Sequence, residues 1–241
     1  MLILAYHSIH PERRDALAVH PDAFRAQLDW LDGAYDLVPL RDVVEARLGG
    51  GDHRRLAALT FDDGLRDNYA HLFPILRERR IAAAIFLALD FIGTERLFEG
   101  ENMKRAPLRD DDRRGMSWAQ VEEMRDSGLV TFGSHTFSHA RLPRLDAAQR
   151  QREIDGSRRF LHDRLGVPAD FFCYPFGDFD EASKRAVANA GYRAAFVTSR
   201  SLRDEDAFTL RRVGVYGHNS LRDVRLKANL LVRRLRSWWA K

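Results

Sequence analysis

Apolar and polar positions follow two rhythms along this chain, and each rhythm points to an element. Short apolar runs recur at Leu2 to Tyr6, Leu56 to Phe61, Ile81 to Leu89, Leu129 to Ser134, Phe171 to Tyr174, Tyr192 to Thr198 and Val213 to Tyr216. They read as buried strands, too short for buried helices, with Tyr35 to Pro39 a further short strand. Between the runs the apolar spacing lengthens to three or four. Phe24, Leu28 and Leu31 share one face of a helix that starts near Pro21 and stops at Gly33. Leu40 to Leu48 is a short helix, and Asp67 to Arg80 a longer one, with Tyr69, Leu72, Phe73 and Leu76 on its buried stripe despite Pro74. Ser117 and Gln120 form a capping box opening a helix to Ser127, closed by Gly128. Asp146 to Leu165 and Glu181 to Ala190 are helical as well. Strands alternate with helices almost throughout, which predicts a parallel α/β sheet or barrel. Asp90 to Gly115 breaks both rhythms and reads as a long functional loop or lid with room for a short helix.

Composition narrows this picture. With 241 residues and 45% hydrophobic content the chain can bury a large core without disulfides or a structural metal. Residues 1–241 read as one domain: no linker composition and no solenoid-length repeat interrupts them, and Gly49-Gly50-Gly51 reads as a flexible loop. Cys173 is the sole cysteine, so an intrachain disulfide is excluded, in keeping with a reducing compartment. The N-terminus lacks a basic signal-peptide region, and no apolar run approaches the roughly 18 residues of a membrane span. These features predict a cytoplasmic protein, with the inner membrane face as a peripheral location. Net charge is +4, but 39 basic residues stand against 35 acidic ones, and without a recognition motif nucleic-acid binding is not expected. Some of the excess lies in a basic amphipathic helix at about 221–239, ending near Trp238 and Trp239. That helix either rests on an anionic membrane surface or packs its leucine face on the domain.

The candidate chemistry sits at strand ends. Thr60-Phe61-Asp62-Asp63-Gly64 places two carboxylates where a strand ends, with a glycine permitting a sharp turn. Adjacent carboxylates repel in a partly buried site unless a cation neutralises one of them. Alone, this is also what a solvated Asp-Asp-Gly turn looks like. His135-Thr136-Phe137-Ser138-His139 sets two imidazoles four residues apart after another strand, a spacing that ordinary helices also show. Together, one carboxylate and two imidazoles would make a three-ligand site for a divalent metal, with positions open for water and substrate.

The two motifs, T-F-D-D-G and H-[ST]-x-x-H, resemble those of the polysaccharide deacetylase family, also called the NodB-homology or carbohydrate esterase 4 family. The resemblance implies a distorted (β/α) barrel of seven strands and a metal-dependent deacetylase acting on an N-acetylated sugar in a polysaccharide, oligosaccharide or lipid-linked precursor. It implies Asp63, His135 and His139 as metal ligands and Asp62 as general base. Zinc is the expected metal, with cobalt and nickel also suited to the ligands. The family's third motif, R-x-P-[YF]-G, appears as Cys173-Tyr174-Pro175-Phe176-Gly177, which gives Phe176 the main-chain oxyanion role but replaces the arginine with Cys173. That loss puts the charge network around Asp62 in question. Cys173 is expected to pack rather than to act as a nucleophile, and Asp178 either contacts substrate or caps a turn. Tyr6-His7-Ser8-Ile9 resembles the Y-H-x-[IV] strand end of the branch containing poly-N-acetylglucosamine deacetylases, which makes His7 the expected general acid. His218, in a poor match to the family's late L-x-H motif, is the alternative. His10, His20, His53, His71 and His162 read as surface or capping residues. Two other functions stay open: a deformylase or other C–N amide hydrolase, and a non-catalytic sugar-binding relative that has lost the arginine.

Overall fold

The computed structural model describes residues 1–13, 15–52, 54–99, 109–198 and 206–229. In chain order the strands are β1 (Leu2–Tyr6), β2 (Ser8–Ile9), β3 (Ala18–Val19), β4 (Asp36–Leu37), β5 (Leu56–Phe61), β6 (Ala83–Leu87), β7 (Val130–Ser134), β8 (Phe171–Cys173), β9 (Ala194–Val197), β10 (Leu210–Arg211) and β11 (Val213–Gly214). The α-helices are α1 (Pro21–Ala34), α2 (Leu40–Leu48), α3 (Phe73–Arg79), α4 (Trp118–Asp126), α5 (Ala147–Gln151), α6 (Ser157–Leu165), α7 (Glu181–Asn189) and α8 (Leu221–Ala228).

The main sheet is parallel and runs β10-β9-β8-β7-β6-β5-β1-β11, with β4 added at the start of β5. One residue, Arg212, separates β10 from β11, so a single segment carries both edges of the sheet. The Arg212 N–H donates to Val197 O at 2.9 Å, and the Val215 N–H donates to Ala5 O at 2.8 Å. The sheet thus nearly closes into a barrel. Eight strands lie on its path rather than the expected seven, because the last strand is broken at Arg212 into two short pieces pairing with opposite edges.

Strand alternation sorts the side chains. In β5, Ala57, Leu59 and Phe61 pack outward in a cluster with Tyr6, Phe24, Leu28, Leu72 and Leu76. Ala58 belongs to the inner cluster with Ile3, Ala84, Phe86, Cys173 and Phe196, where small residues suit a narrow barrel. Leu40, Val43 and Val44 of α2 join that cluster beside Met1, Val38 and Leu56, and so plug the barrel at its N-terminal end. The opposite end, where the strands finish, is left for polar groups.

Two predicted helices contain π-helical turns. Asn68–Leu72 is π-helical and leads into α3, in which Pro74 stands at the first turn. Pro74 has no N–H to give, so the hydrogen-bond register slips ahead of it. The predicted helix from Asp146 to Leu165 is α5 and α6 joined by a π-helical stretch, Arg152–Gly156. The capping box at Ser117 and Gln120 forms as expected. Parts of the Asp90 to Gly115 stretch are ordered by bridges from Leu97 to Arg114 and from Leu65 to Gly115, with a short 3-10 turn at Asp110–Arg113. Residues 100–108 lie outside the described residues.

In the terminal helix, α8 packs on the domain through buried Val224 and Ala228, and the Tyr35 hydroxyl donates to Ala228 O at 3.5 Å. Its predicted continuation, with Trp238 and Trp239, falls outside the described residues, as does His53. Among the described residues no helix is long and apolar enough to cross a membrane.

A packing prediction follows at Gly133 in β7, where a Cβ would lie 2.7 Å from Phe171 O and 2.7 Å from the Phe86 ring. Gly133→Ala is expected to lower the urea unfolding free energy by about 1–3 kcal/mol, and an unchanged midpoint would contradict this close approach.

Candidate active site

Separate strand ends bring the candidate residues together. His7 follows β1, Asp62 and Asp63 follow β5, His135 and His139 follow β7, and Phe176 follows β8. All six line one pocket of about 940 Å³, with Phe91, Arg96, Phe98, Arg141, Arg212 and Tyr216 among its other walls.

The chain is bent out of ordinary geometry around them. Of the five non-glycine residues with positive φ among those described, four lie here: Asp63, Thr136, His139 and Phe176. Such conformations persist only where the surroundings enforce them, and they gather at functional sites. Gly64 explains part of the enforcement. Its φ is +76°, and a Cβ would approach Leu87 Cδ2 to 2.5 Å, so only glycine follows Asp63 here. Around the histidines, the Thr136 N–H donates to Ser134 Oγ (3.1 Å) and the His139 N–H to Thr136 Oγ1 (3.0 Å). The buried Glu153 carboxylate accepts from the Phe137 N–H (2.7 Å), the Ser138 N–H (3.0 Å) and Ser138 Oγ (2.7 Å). Glu153 was not foreseen, and it sits in the π-helical stretch Arg152–Gly156.

Asp63 Oδ1 lies 3.7 Å from His135 Nε2 and 3.4 Å from His139 Nε2. It is buried and has no hydrogen-bond partner among the described residues. His135 Nδ1 is 2.8 Å from Cys173 O. A carbonyl only accepts, so Nδ1 carries the proton and the Nε2 lone pair faces Asp63. Burial pushes both imidazoles down to about 4, which leaves them neutral at pH 7, and burial raises the Asp63 carboxyl. An orphaned carboxylate oxygen facing the Nε2 atoms of two neutral imidazoles, one of them fixed as a lone pair, fits a divalent cation. A second cluster, Asp62, His135 and Cys173, also brings its ligand atoms within 4.8 Å of one another. It fits less well: both Asp62 oxygens are engaged by Arg212, and burial pushes the Cys173 thiol well up, so it stays protonated.

Arg212 answers the question raised by Cys173. Its guanidinium grips Asp62 with two parallel bonds, Nη1 to Oδ1 at 2.7 Å and Nη2 to Oδ2 at 2.6 Å. It also donates to Thr60 Oγ1 (3.0 Å) and to Cys173 Sγ (2.9 Å). Burial would raise the Asp62 carboxyl, but the Arg212 charge and hydrogen bonds outweigh it and hold it well below the carboxylate range. The guanidinium missing from the third motif thus arrives from the last strand, and the small Cys173 leaves room for it.

His7 Nε2 stands 4.0 Å from Asp62 Oδ2, on the pocket wall. His218 instead stacks on Tyr216, ring centroids 5.8 Å apart, and is not among the lining residues. The Phe176 ring lies 4.6 Å from His139 and under the Arg141 guanidinium, 3.9 Å from the ring centroid. Asp178 pairs with Arg141 at 3.1 Å. His20 caps α1 as expected. His10 also caps a turn, accepting from the Glu12 and Arg13 N–H groups, but it is buried against Asp112 rather than at the surface.

Several known proteins are similar to this chain in sequence and fold. The Bacillus subtilis protein YxkH is 28% identical over 217 residues, 88% of this chain and 70% of its own. The poly-beta-1,6-N-acetyl-D-glucosamine N-deacetylase of Escherichia coli K12 is 23% identical over 252 residues, 91% of this chain but only 37% of that protein's length. The structure of IcaB from Ammonifex degensii superposes with a TM-score of 0.74 at 26% identity, covering 94% of this chain and 96% of IcaB. The family model for polysaccharide deacetylases matches residues 49–195, a stretch that holds Asp62, Asp63, His135, His139 and Phe176. The chain belongs to the polysaccharide deacetylase family.

Proposed function

We propose that this protein is a metal-dependent deacetylase that hydrolyses the N-acetyl amide of an amino sugar. In this reading Asp63, His135 and His139 hold a divalent cation, Asp62 is the general base and His7 the general acid. The observation that carries it is the orphaned, buried Asp63 Oδ1 facing Nε2 of both His135 and His139, with the ionised Asp62 beside it. A cation there, zinc by ligand type with cobalt and nickel as alternatives, supplies Lewis-acid polarisation of the acyl carbonyl and lowers the pKa of water.

The chain's own groups do the rest. Arg212 keeps Asp62 ionised and fixes its plane, leaving lone pairs on its oxygens to take the proton of the attacking water. The Phe176 N–H donates to the acyl oxygen as that oxygen becomes negative. His7 gives its proton to the sugar nitrogen as the C–N bond breaks, so that acetate and a free amine leave. The reading as a non-catalytic relative drew on the missing motif arginine, and Arg212 removes that ground. Relatives named for poly-beta-1,6-N-acetyl-D-glucosamine make oligomers of that sugar the first substrate to assay. The basic C-terminal segment keeps a lipid-linked N-acetylated sugar at a membrane face as the second.

Chelation is expected to abolish acetate release from N-acetylglucosamine oligomers, and added zinc or cobalt to restore it. Asp62→Asn should lower turnover by about 10²–10⁴-fold while bound metal, measured by elemental analysis, stays stoichiometric. Full activity in the stripped protein would overturn the metal reading, and an unchanged rate in Asp62→Asn the base assignment. Arg212→Met leaves Asp62 buried without its partner, so unfolding free energy should fall by about 3–5 kcal/mol and turnover with it. A stable, active Arg212→Met protein would show that the pair does not organise the site.

A further inference from the structure

His7 Nδ1 is buried and, among the described residues, has no hydrogen-bond partner, so none of their carboxylates fixes the ring from behind. Its main chain is held instead. The His7 carbonyl accepts a hydrogen bond from Asn68 Nδ2 at 2.9 Å, and Asn68 is fully buried. The same nitrogen donates to Asp67 Oδ1 at 2.9 Å. Both neighbours are acceptors, which fixes the amide with its nitrogen toward them. The next residue is gripped from the same side. Ser8 Oγ donates to Asp67 Oδ2, and Arg13 Nη1 donates both to Ser8 Oγ (3.1 Å) and to Asp67 Oδ2 (3.0 Å). Arg13 is itself anchored by Asp15, Nε to Oδ2 at 2.8 Å.

Asp67 and Asn68 follow Asp62 and Asp63 by only a few residues, at the start of the π-helical turn. They therefore join the strand end that carries the carboxylates to the strand end that carries His7. The backbone bond from the Asp62 N–H to Tyr6 O, 3.0 Å, extends the β1–β5 pairing as a further tie between them. On the pocket side the His7 ring has Tyr216 alongside, centroids 6.4 Å apart and planes 27° from parallel. A general acid acts only when its proton lies within reach of the leaving atom, and a displacement of about 1 Å can cost on the order of a hundredfold in rate.

We propose that Asn68, anchored by Asp67, is a positioning residue for the general acid: it holds the His7 main chain so that Nε2 faces the leaving nitrogen. The inference rests on His7 being that acid. Its chemistry separates it from a purely structural bond. An amide needs its leaving nitrogen protonated, whereas p-nitrophenyl acetate expels p-nitrophenolate, which leaves without a proton.

The experiment compares the metal-loaded wild type, Asn68→Ala, His7→Ala and the double variant on N-acetylglucosamine oligomers and on p-nitrophenyl acetate. Asn68→Ala is expected to lower kcat on the amide by about tenfold or more, within the range of general-acid contributions, with KM nearly unchanged and ester turnover retained. In the His7→Ala background the same substitution should cost nothing further on the amide. Asn68→Ser, whose hydroxyl is too short to reach the His7 carbonyl, should give the same split if the alanine variant does not fold. Equal losses on amide and ester, or an undiminished loss in the His7→Ala background, would overturn the positioning role. Unchanged amide turnover in His7→Ala alone would instead overturn the acid assignment, and the inference with it.

Discussion

Two carboxylates on consecutive residues, both buried at the end of one strand, set the terms for everything around them. Like charges this close cannot both be ionised in a poorly solvated pocket without compensation. The chain compensates only one. Asp62 receives a bidentate guanidinium and is held ionised, while burial pushes the Asp63 carboxyl upward and leaves its Oδ1 without a partner. The environments push two neighbouring carboxyls in opposite directions, the pattern by which one residue type takes two roles. In the proposed reading the second compensation comes from a bound cation.

The same pairing is tied to the closure of the barrel. Arg212 stands at the break between β10 and β11, where one segment binds both edges of the sheet, and its side chain reaches Asp62 at the end of β5. The segment that closes the barrel therefore also orders the Asp62 carboxylate. Such rigidity is what the strained residues require. Positive φ at Asp63, Thr136, His139 and Phe176 costs on the order of 1–3 kcal/mol at each position. Glu153, Ser134 and the close packing at Gly64 hold that geometry from outside the pocket.

Much of this was legible in the sequence, and the rest failed for identifiable reasons. Strand ends carrying Asp62, Asp63, His135 and His139 were readable because a short apolar run followed by a turn leaves little choice of conformation. Alternation in β5 even gives the inward phase of Asp62, the same as that of Ala58. Arg212 was not readable as its partner: they lie 150 residues apart, and β10 and β11 have two residues each, too few for a period. The arginine pair Arg211-Arg212 between Leu210 and Val213 was the available signal, since strand alternation turns one of two adjacent charges inward, where it needs a buried partner. The break at Arg212 also turned the expected seven strands into eight. The π-helical turns escaped because their apolar spacing matches that of an α-helix over one turn, and with them went the positions of Asn68 and Glu153.

The central claim is that Asp63, His135 and His139 share one cation beside Asp62. The most direct test is a crystal structure of the metal-loaded protein with anomalous data collected across the zinc edge. The account predicts a single anomalous peak at about 2.0–2.2 Å from Asp63 Oδ1 and from Nε2 of both histidines, with the Asp62–Arg212 pair intact. A peak between Asp62 and Cys173 instead, or none in a protein that still releases acetate, would contradict it.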